Sequence, residues 1–357
     1  MERVPKFINA AVLRKINKPL SIEKLEIPQL KRGQVLVKIE YSGVCHSQLM
    51  EYQGKRGHDK YLPHLLGHEG SGRVVAINKN VTKVRPGDSV ILGWIKGDGI
   101  QAEGAKFVSN GEIVNAGPVT TFSDYSIVSE NRLVPLPASL PKDIAVLFGC
   151  AIPTGAGIVV NQIKPEAGSS VAVLGLGGIG LSSLLALNIF DLKQIIALDI
   201  NKEKLKFAEE FGATHLVNTL ETDPLKEVLR ITNGLGVDYC IEATGKTKMI
   251  QNGFSMVKKF GGKCIFASHP PKNERISIDP FDLISGKEIK GSWGGSSHPD
   301  SDIPIFADYY NKGLLILDKL VKKTYKLNQI NEAFNDLENG KVFRPIIRFN
   351  DKKIDSL

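Results

Sequence analysis

The stretch Val171-Ala172-Val173-Leu174-Gly175-Leu176-Gly177-Gly178-Ile179-Gly180 decides how the middle of this chain folds. Four apolar residues run directly into G-x-G-x-x-G, a pattern that alone is common among glycine-rich turns. Its surroundings make it specific. The apolar run reads as a buried strand, residues 178–185 read as a helix, and a second apolar run at 194–198 ends on Asp199. Each glycine answers a separate need: Gly175 a tight turn, Gly177 the approach of backbone to a pyrophosphate, Gly180 close packing of helix on strand. Gly178 and Ile179 open the helix, whose N-terminal amides attract an anion. Asp199 stands nineteen positions after Gly180, where a carboxylate accepts hydrogen bonds from an adenosine ribose and repels a 2′-phosphate. NAD is therefore expected rather than NADP. Lys202 and Lys204 pull the other way, since a lysine contacts ribose hydroxyls or a phosphate, and Lys204 is placed among the cofactor contacts. The plainer alternative is the same nucleotide-binding core with an empty site.

Outward from this motif the pattern splits the chain. Toward the C-terminus, apolar runs at 237–241 and 263–267 alternate with helical patterns such as 202–211, which ends at Gly212. That βαβ rhythm implies a parallel sheet. Toward the N-terminus, Val35, Val37, Ile39 and Tyr41 alternate with polar or small residues, and short strands are expected at 72–77 and 88–92, the second introduced by the turn Arg85-Pro86-Gly87-Asp88. The first third is mostly β. Beyond Lys290 a glycine-rich segment, a helix near 303–312 and a last strand near 345–349 read as a return to the first domain. The expected organisation is α/β, with 1–152 and 293–357 forming one mostly-β domain and 153–292 a doubly wound parallel-sheet domain.

Composition bounds the partners. Lysine and arginine number 46 against 38 aspartates and glutamates, a formal charge of +8, but the basic residues are dispersed, with pairs such as Lys258-Lys259 and Lys352-Lys353 the longest runs. Scattered lysines describe a solvated surface, so no nucleic-acid partner is expected, and an anionic small ligand suits the charge better. Residues 1–20 alternate charged and apolar residues and lack the apolar run of a secretion signal. The most apolar segment, 171–190, holds four glycines and two serines and suits a nucleotide fold better than a membrane span. Four cysteines, at 45, 150, 240 and 264, are too few and too dispersed for a disulfide framework, so a cytoplasmic location is expected.

Cys45, His68 and Cys150 all lie beside glycines, in Gly43-Val44-Cys45-His46-Ser47, Gly67-His68-Glu69-Gly70 and Phe148-Gly149-Cys150. Singly, each has an ordinary reading as a small buried hydrophobe or a hydrogen-bonded imidazole. Together they supply two thiolates and one imidazole, which leaves tetrahedral zinc one open position. Here the chain resembles the zinc-containing medium-chain alcohol dehydrogenases, nearly end to end. Phe148-Gly149-Cys150, Thr154-Gly155, the glycine motif, Asp199-Ile200-Asn201-Lys202, Phe211-Gly212-Ala213-Thr214 and Gly236-Val237-Asp238-Tyr239 stand in that family's order. The resemblance looks closest to the glutathione-dependent formaldehyde dehydrogenase (class III) branch.

The resemblance implies a GroES-like catalytic domain beside a Rossmann cofactor domain, and hydride transfer between an alcohol and NAD. It makes Cys45, His68 and Cys150 ligands of one catalytic zinc and Glu69 an outer or transient ligand. Ser47 becomes the hydroxyl that takes the substrate proton. His46 and Arg344 would contact the cofactor pyrophosphate, Thr154 would lie near the nicotinamide, and Trp94 would be an aromatic wall of the substrate pocket. The family also implies a homodimer or homotetramer joined through cofactor-domain sheets, and 276–278 is the expected edge.

Three departures stand out. The segment between Trp94 and Ala116 has none of the four cysteines that hold a structural zinc in many relatives, so one zinc per chain is expected and that lobe needs another source of stability. Gln48 replaces the aspartate that orients the liganding histidine, so control of the histidine tautomer is expected to come differently. Met50 stands where some relatives end a proton relay on histidine. Two alternatives stay open: a zinc-free medium-chain quinone or enone reductase, and a nucleotide-binding protein without catalysis. The substrate is expected to be a small alcohol or carbonyl compound, with polyols and sugar derivatives included. Glutathione dependence does not follow, because no arginine-rich pocket is evident.

Overall fold

The computed structural model describes residues 4–321 and 323–349. The chain divides into two units. The first takes Met1–Cys150, His298–Ala307 and the chain from Leu317 onward, and the second takes Ala151–Ser297 with Asp308–Ile316. The expected division assigned all of 293–357 to the first unit, whereas 293–297 and Asp308–Ile316 cluster with the second. The long helix Pro299–Asn311 runs across this boundary, which sequence pattern has no means of marking.

Ten strands build most of the first unit: β1 (Phe7–Leu13), β2 (Ser21–Glu26), β3 (Gln34–Gly43), β4 (His64–Leu65), β5 (Gly70–Ile77), β6 (Ser89–Leu92), β7 (Lys106–Ser109), β8 (Glu112–Asn115), β9 (Tyr125–Ser129) and β10 (Leu133–Pro135). β1, β2, β7, β8 and β4 close into a small barrel, and a second sheet runs β10-β6-β5-β3, continues into Ile346–Arg348 and Thr324–Tyr325, and adds β9 on β3. The alternation read at 35–41 marks one apolar face, yet β3 is buried on both. Val35, Val37 and Ile39 pack with Val74, Val90 and Leu92. Leu36 packs on the opposite side with Ile8, Leu25 and Phe107. β3 is a wall between two cores, as a strand covered on both faces must be apolar on both.

The cysteine-free lobe folds as the hairpin β7–β8, turned at Asn110 and Gly111 with φ of 48° and 81°, the left-handed pair a two-residue turn requires. Glu23 anchors it, accepting from Arg14 Nε and Nη2 at 2.7 Å each and from Ser109 Oγ at 2.7 Å, while Arg14 reaches Glu112 at 2.5 Å. The Arg14 guanidinium holds the Glu23 carboxyl down at about 2. Nearby, buried Glu130 accepts from the amides of Thr82, Lys83 and Ile100 at 2.7–2.8 Å. Burial alone would raise its pKa, but the three amides outweigh it and the net shift is downward. These carboxylates tie together the loops of the cysteine-free lobe.

The second unit is a parallel sheet of six strands: β11 (Ser170–Leu174), β12 (Gln194–Asp199), β13 (His215–Asn218), β14 (Tyr239–Glu242), β15 (Lys263–Phe266) and β16 (Glu288–Gly291). Their order is β13-β12-β11-β14-β15-β16, so the direction of winding reverses between β11 and β14. Helices Gly178–Leu187, Lys202–Glu210, Pro224–Ile231 and Thr247–Met256 connect successive strands. The core includes Ala172, Leu174, Ile196, Leu198, Phe254, and the thiols of Cys240 and Cys264, which are register partners on neighbouring strands. The apolar segment 171–190 resolves into β11 and a ten-residue helix, and among the described residues no single helix is long and apolar enough to cross a membrane. Residues 276–278, expected as a sheet edge, join no ladder in this chain; the edge beside β15 is β16. Among the described residues 276–278 has no strand partner in the same chain, whereas the expectation concerned pairing between subunits.

Candidate metal centre and dinucleotide site

Three loop ends of the first unit bring the thiols and imidazole together. Cys45 leaves β3 and begins the helix His46–Tyr52, His68 lies between β4 and β5, and Cys150 follows the turn Val146–Gly149. Their ligand atoms all lie within 4.8 Å of one another. Nε2 of His68 is buried and has no hydrogen-bond partner. A buried nitrogen is seldom left so, and here it shares a small space with two sulfurs, which is the donor set of an open tetrahedral zinc site. The residues present fit the ion. The hydrogen bond from Cys150 lowers the Cys45 thiol well below its ordinary range against the effect of burial, and the charge of Arg344 helps. Cys150, as donor, is raised.

The glycines beside the ligands are each required by close packing. A Cβ at Gly43 or at Gly149 would collide with Glu69. Gly67, at φ 89°, is in the left-handed region, where a Cβ would also meet the Phe122 amide nitrogen at 2.8 Å. Glu69 itself is fully buried, and Arg344 Nη2, also buried, lies 2.5 Å from both of its carboxylate oxygens. Burial raises the Glu69 carboxyl, with Arg344 opposing. Val44 N donates to Pro345 O at 2.9 Å, and Ile346 pairs with Gly43, so the last strand carries Arg344 to this place. The resemblance implied Glu69 as an outer or transient ligand and Arg344 as a contact of the pyrophosphate. In this structure the two pair with each other, and Glu69 stands next to the three-residue cluster without belonging to it, the place of an outer ligand.

Gln48 reaches His68 despite replacing an aspartate: its Nε2 lies 2.8 Å from Nδ1, while its Oε1 accepts from Gly67 N at 2.5 Å. Ser47 Oγ is buried without a partner, which leaves it available to a substrate hydroxyl. His46 is exposed and Met50 half-buried. Trp94 is half-buried, its amide donates to Gly149 O at 3.3 Å, and its carbonyl accepts from Arg132 Nη1, so its backbone is fixed beside the residue preceding Cys150.

The dinucleotide motif lies wholly in the second unit. Gly175 has φ 86°, and a Cβ there would come 2.6 Å from Thr244 Cγ2. A Cβ at Gly180 would strike Gly175 O. At Gly177 a Cβ would meet nothing within 4 Å. The first and third glycines are therefore required by packing, while the second faces open space at the start of helix Gly178–Leu187, as a backbone cradle for a phosphate must. Asp199 ends β12 with Oδ2 accepting from Leu176 N at 2.6 Å and Oδ1 from Asn201 N at 2.9 Å. Lys204 is half-buried in the first turn of the next helix, and Lys202 pairs with Glu221 at 2.5 Å. Thr154 Oγ1 is buried without a partner.

Sequence reasoning missed Glu242. It ends β14 fully buried, with Oε1 accepting from Thr244 N at 2.8 Å and from Thr244 Oγ1, and Oε2 without a partner. Burial pushes its carboxyl up to about 7. The available signal was an acid closing the apolar run Tyr239-Cys240-Ile241 in a strand buried on both faces.

The pattern of the alcohol dehydrogenase GroES-like domain matches residues 31–138, and that of the zinc-binding dehydrogenase matches 178–309. S-(hydroxymethyl)glutathione dehydrogenase of Escherichia coli O1:K1 / APEC is 32% identical over 366 residues, covering 95% of this chain and 99% of that protein. Among solved structures, benzyl alcohol dehydrogenase from Acinetobacter calcoaceticus is similar with a TM-score of 0.87 and 31% identity, covering 97% of this chain and 100% of its own. An alcohol dehydrogenase zinc-binding domain protein from Burkholderia ambifaria is similar at 0.88 and 31%, covering 97% and 99%.

Proposed function

The chain belongs to the zinc-binding, medium-chain alcohol dehydrogenase family, and from that premise we propose that it interconverts an alcohol and its aldehyde or ketone with NAD, using one catalytic zinc. The observation that carries the metal assignment is the partnerless Nε2 of His68 beside the thiols of Cys45 and Cys150. Bound there, zinc supplies Lewis acidity to the substrate oxygen, and NAD supplies the hydride acceptor. The rest falls to the chain's own residues. Ser47 Oγ, with no partner of its own, takes the proton from the substrate hydroxyl. Met50, at the position of a relay histidine, has no group to carry that proton, which would leave through the cofactor ribose hydroxyls and water. Trp94, fixed through Gly149, is proposed as the pocket wall that orients the substrate carbon.

His46, Thr154, Gly175, Gly177, Gly178, Ile179, Gly180, Asp199, Lys204 and Arg344 are proposed as the cofactor contacts. The carboxylate of Asp199, held by two amides at the end of β12, favours NAD over NADP. Arg344 is proposed to work through Glu69, whose charge it balances, as well as on the cofactor. For the substrate we propose a primary or secondary alcohol, a polyol or a sugar derivative. The related S-(hydroxymethyl)glutathione and benzyl alcohol dehydrogenases widen that set to small adducts and aromatic alcohols. A homodimer or homotetramer in the cytoplasm is proposed, with the exposed edge strand β16 available for pairing.

Two measurements test the reading. Metal analysis of purified protein should find zinc at the Cys45–His68–Cys150 site, lost in Cys150→Ser. An NAD-coupled screen of primary alcohols, polyols and sugar derivatives should yield NADH. Metal-free protein with full turnover on a quinone or enone would instead establish the zinc-free reductase.

A further inference from the structure

Ligands of an open parallel sheet lie outside the carboxyl ends of its strands, at the point where the strand order reverses. In this chain that point is between β11 and β14. Asp199, at the end of β12, marks the adenosine side, and the glycine turn after β11 takes the pyrophosphate. The remaining half of the dinucleotide, which bears the nicotinamide, therefore extends over β14 and beyond. Glu242 is the last residue of β14, paired in register with Leu174, the residue before Gly175. The segment it begins touches the turn directly, since Thr244 is what a Cβ on Gly175 would meet. A fully buried carboxyl with one unpartnered oxygen thus stands on the side of the crevice that receives the ring whose charge changes in the reaction.

Little around Glu242 can answer its charge. Its register partners are Leu174 on β11 and Phe266 on β15. Helix Gly178–Leu187 has no titratable side chain, and helix Thr247–Met256 contributes only the exposed Lys248. The thiols of Cys240 and Cys264 lie on the strands themselves, and Cys240 is raised and neutral. Lys246 and His269, on the loops after β14 and β15, are exposed, and Asp199 beyond β11 is held by two amides. Among the described residues Glu242 has no ion-pair partner. Its ionisation is opposed by burial and favoured, less strongly, by the Thr244 hydroxyl and the amides of Thr244 and Gly245.

We propose that the Glu242 carboxyl discriminates the redox state of the dinucleotide: ionised, it favours the oxidised form with its cationic nicotinamide over the neutral ring of the reduced form, and protonated it favours neither. This rests on the dinucleotide site assigned above. Both forms carry the same pyrophosphate, so its repulsion cancels in the ratio of their affinities. The difference is one positive charge. A unit charge acting across about 10 Å at an effective dielectric near 20 changes affinity roughly tenfold. The switch lies at about pH 7, where the buried carboxyl titrates. Below it the reduced dinucleotide competes better and carbonyl reduction is favoured; above it alcohol oxidation is favoured.

The test is equilibrium binding of NADH and of NAD+ to the zinc-loaded protein between about pH 6 and about pH 8.5, spanning that titration. NADH is followed by its fluorescence and NAD+ by displacement. The ratio Kd(NADH)/Kd(NAD+) should rise about tenfold across the range and be flat, or nearly so, in Glu242→Gln. Titration at the zinc site is common to both proteins and drops out of the comparison. Thr244→Val removes a hydrogen bond that favours the carboxylate and should move the midpoint upward, which a merely structural role for Glu242 would not do. An equal rise in wild type and Glu242→Gln overturns the proposal, as does an unmoved midpoint in Thr244→Val if the glutamine variant fails to fold. Tight binding of both dinucleotides with a pH-independent ratio in the wild type overturns it while leaving the dinucleotide site intact. Failure to bind either dinucleotide overturns both.

Discussion

Gln48 presents its amide nitrogen, not its oxygen, to Nδ1 of His68, at 2.8 Å. The oxygen is committed to Gly67 N at 2.5 Å, which fixes the sense of the amide. An amide nitrogen only donates, so Nδ1 accepts and a neutral ring carries its proton on Nε2, the atom that faces the two thiols. For a metal to take Nε2, the proton must move to Nδ1 and the Gln48 amide must turn, giving up Gly67. An aspartate accepts from both groups without turning. Gln48→Asp is therefore expected to tighten zinc binding, by about tenfold given the usual size of such outer contacts. Competition with a calibrated chelator measures it; equal affinities would show that the amide turns freely.

Replacing the ligands should separate metal from cofactor. Cys45→Ser and His68→Ala are expected to lose zinc and turnover while NADH fluorescence titration still reports binding, because the glycine motif and Asp199 belong wholly to the other unit. Full turnover in metal-free Cys45→Ser would end the zinc assignment.

Arg344→Met leaves Glu69 buried without its cation. Removing one partner of a buried pair destabilises by about 3–5 kcal/mol, since the other charge stays behind. The double variant Arg344→Met with Glu69→Gln should recover much of that loss in urea unfolding. A single variant as stable as wild type would mean that Glu69 is already neutral in the fold.

Glu242 makes a prediction about stability as well as binding. Its carboxyl is raised from 4.5 to about 7, so the fold favours the protonated form. The unfolded chain ionises first, and stability present below 4.5 is lost as pH rises to about 7, in all about 3 kcal/mol. Glu23 runs the opposite way: lowered to about 2, its contribution is present above 4.5 and lost as pH falls toward 2. Unfolding free energies of Glu242→Gln and wild type, compared at pH 5 and at pH 8, should differ by less at the lower pH; parallel curves would contradict the raised carboxyl.

Both halves of the fold were legible where the pattern is local. The run from Val171 to Gly180 specifies a strand, a turn and a helix within ten residues, and the structure gives each glycine its expected environment. The meeting of Cys45, His68 and Cys150 was legible through resemblance, since nothing in their spacing says that they come together. What stayed hidden depends on distant partners. Arg344 is brought to Glu69 by a strand that pairs with Gly43, an association no window of sequence contains. Glu242 looks like any strand-ending acid until the neighbouring strands seal it. Residues 276–278, an edge implied by resemblance, form no strand with any described residue of the same chain.

The pairing of Ile346–Arg348 with the end of β3 also sets a timetable. During synthesis Cys45, His68 and Cys150 leave the ribosome early, but Arg344 emerges only after the whole second unit has been made. Until then Glu69 lacks the cation that balances it, and the sheet carrying Cys45 lacks two of its strands. The first unit is thus closed by a strand that is synthesised last, and neither its sheet nor its buried ion pair can be completed until the whole of the second unit has been made.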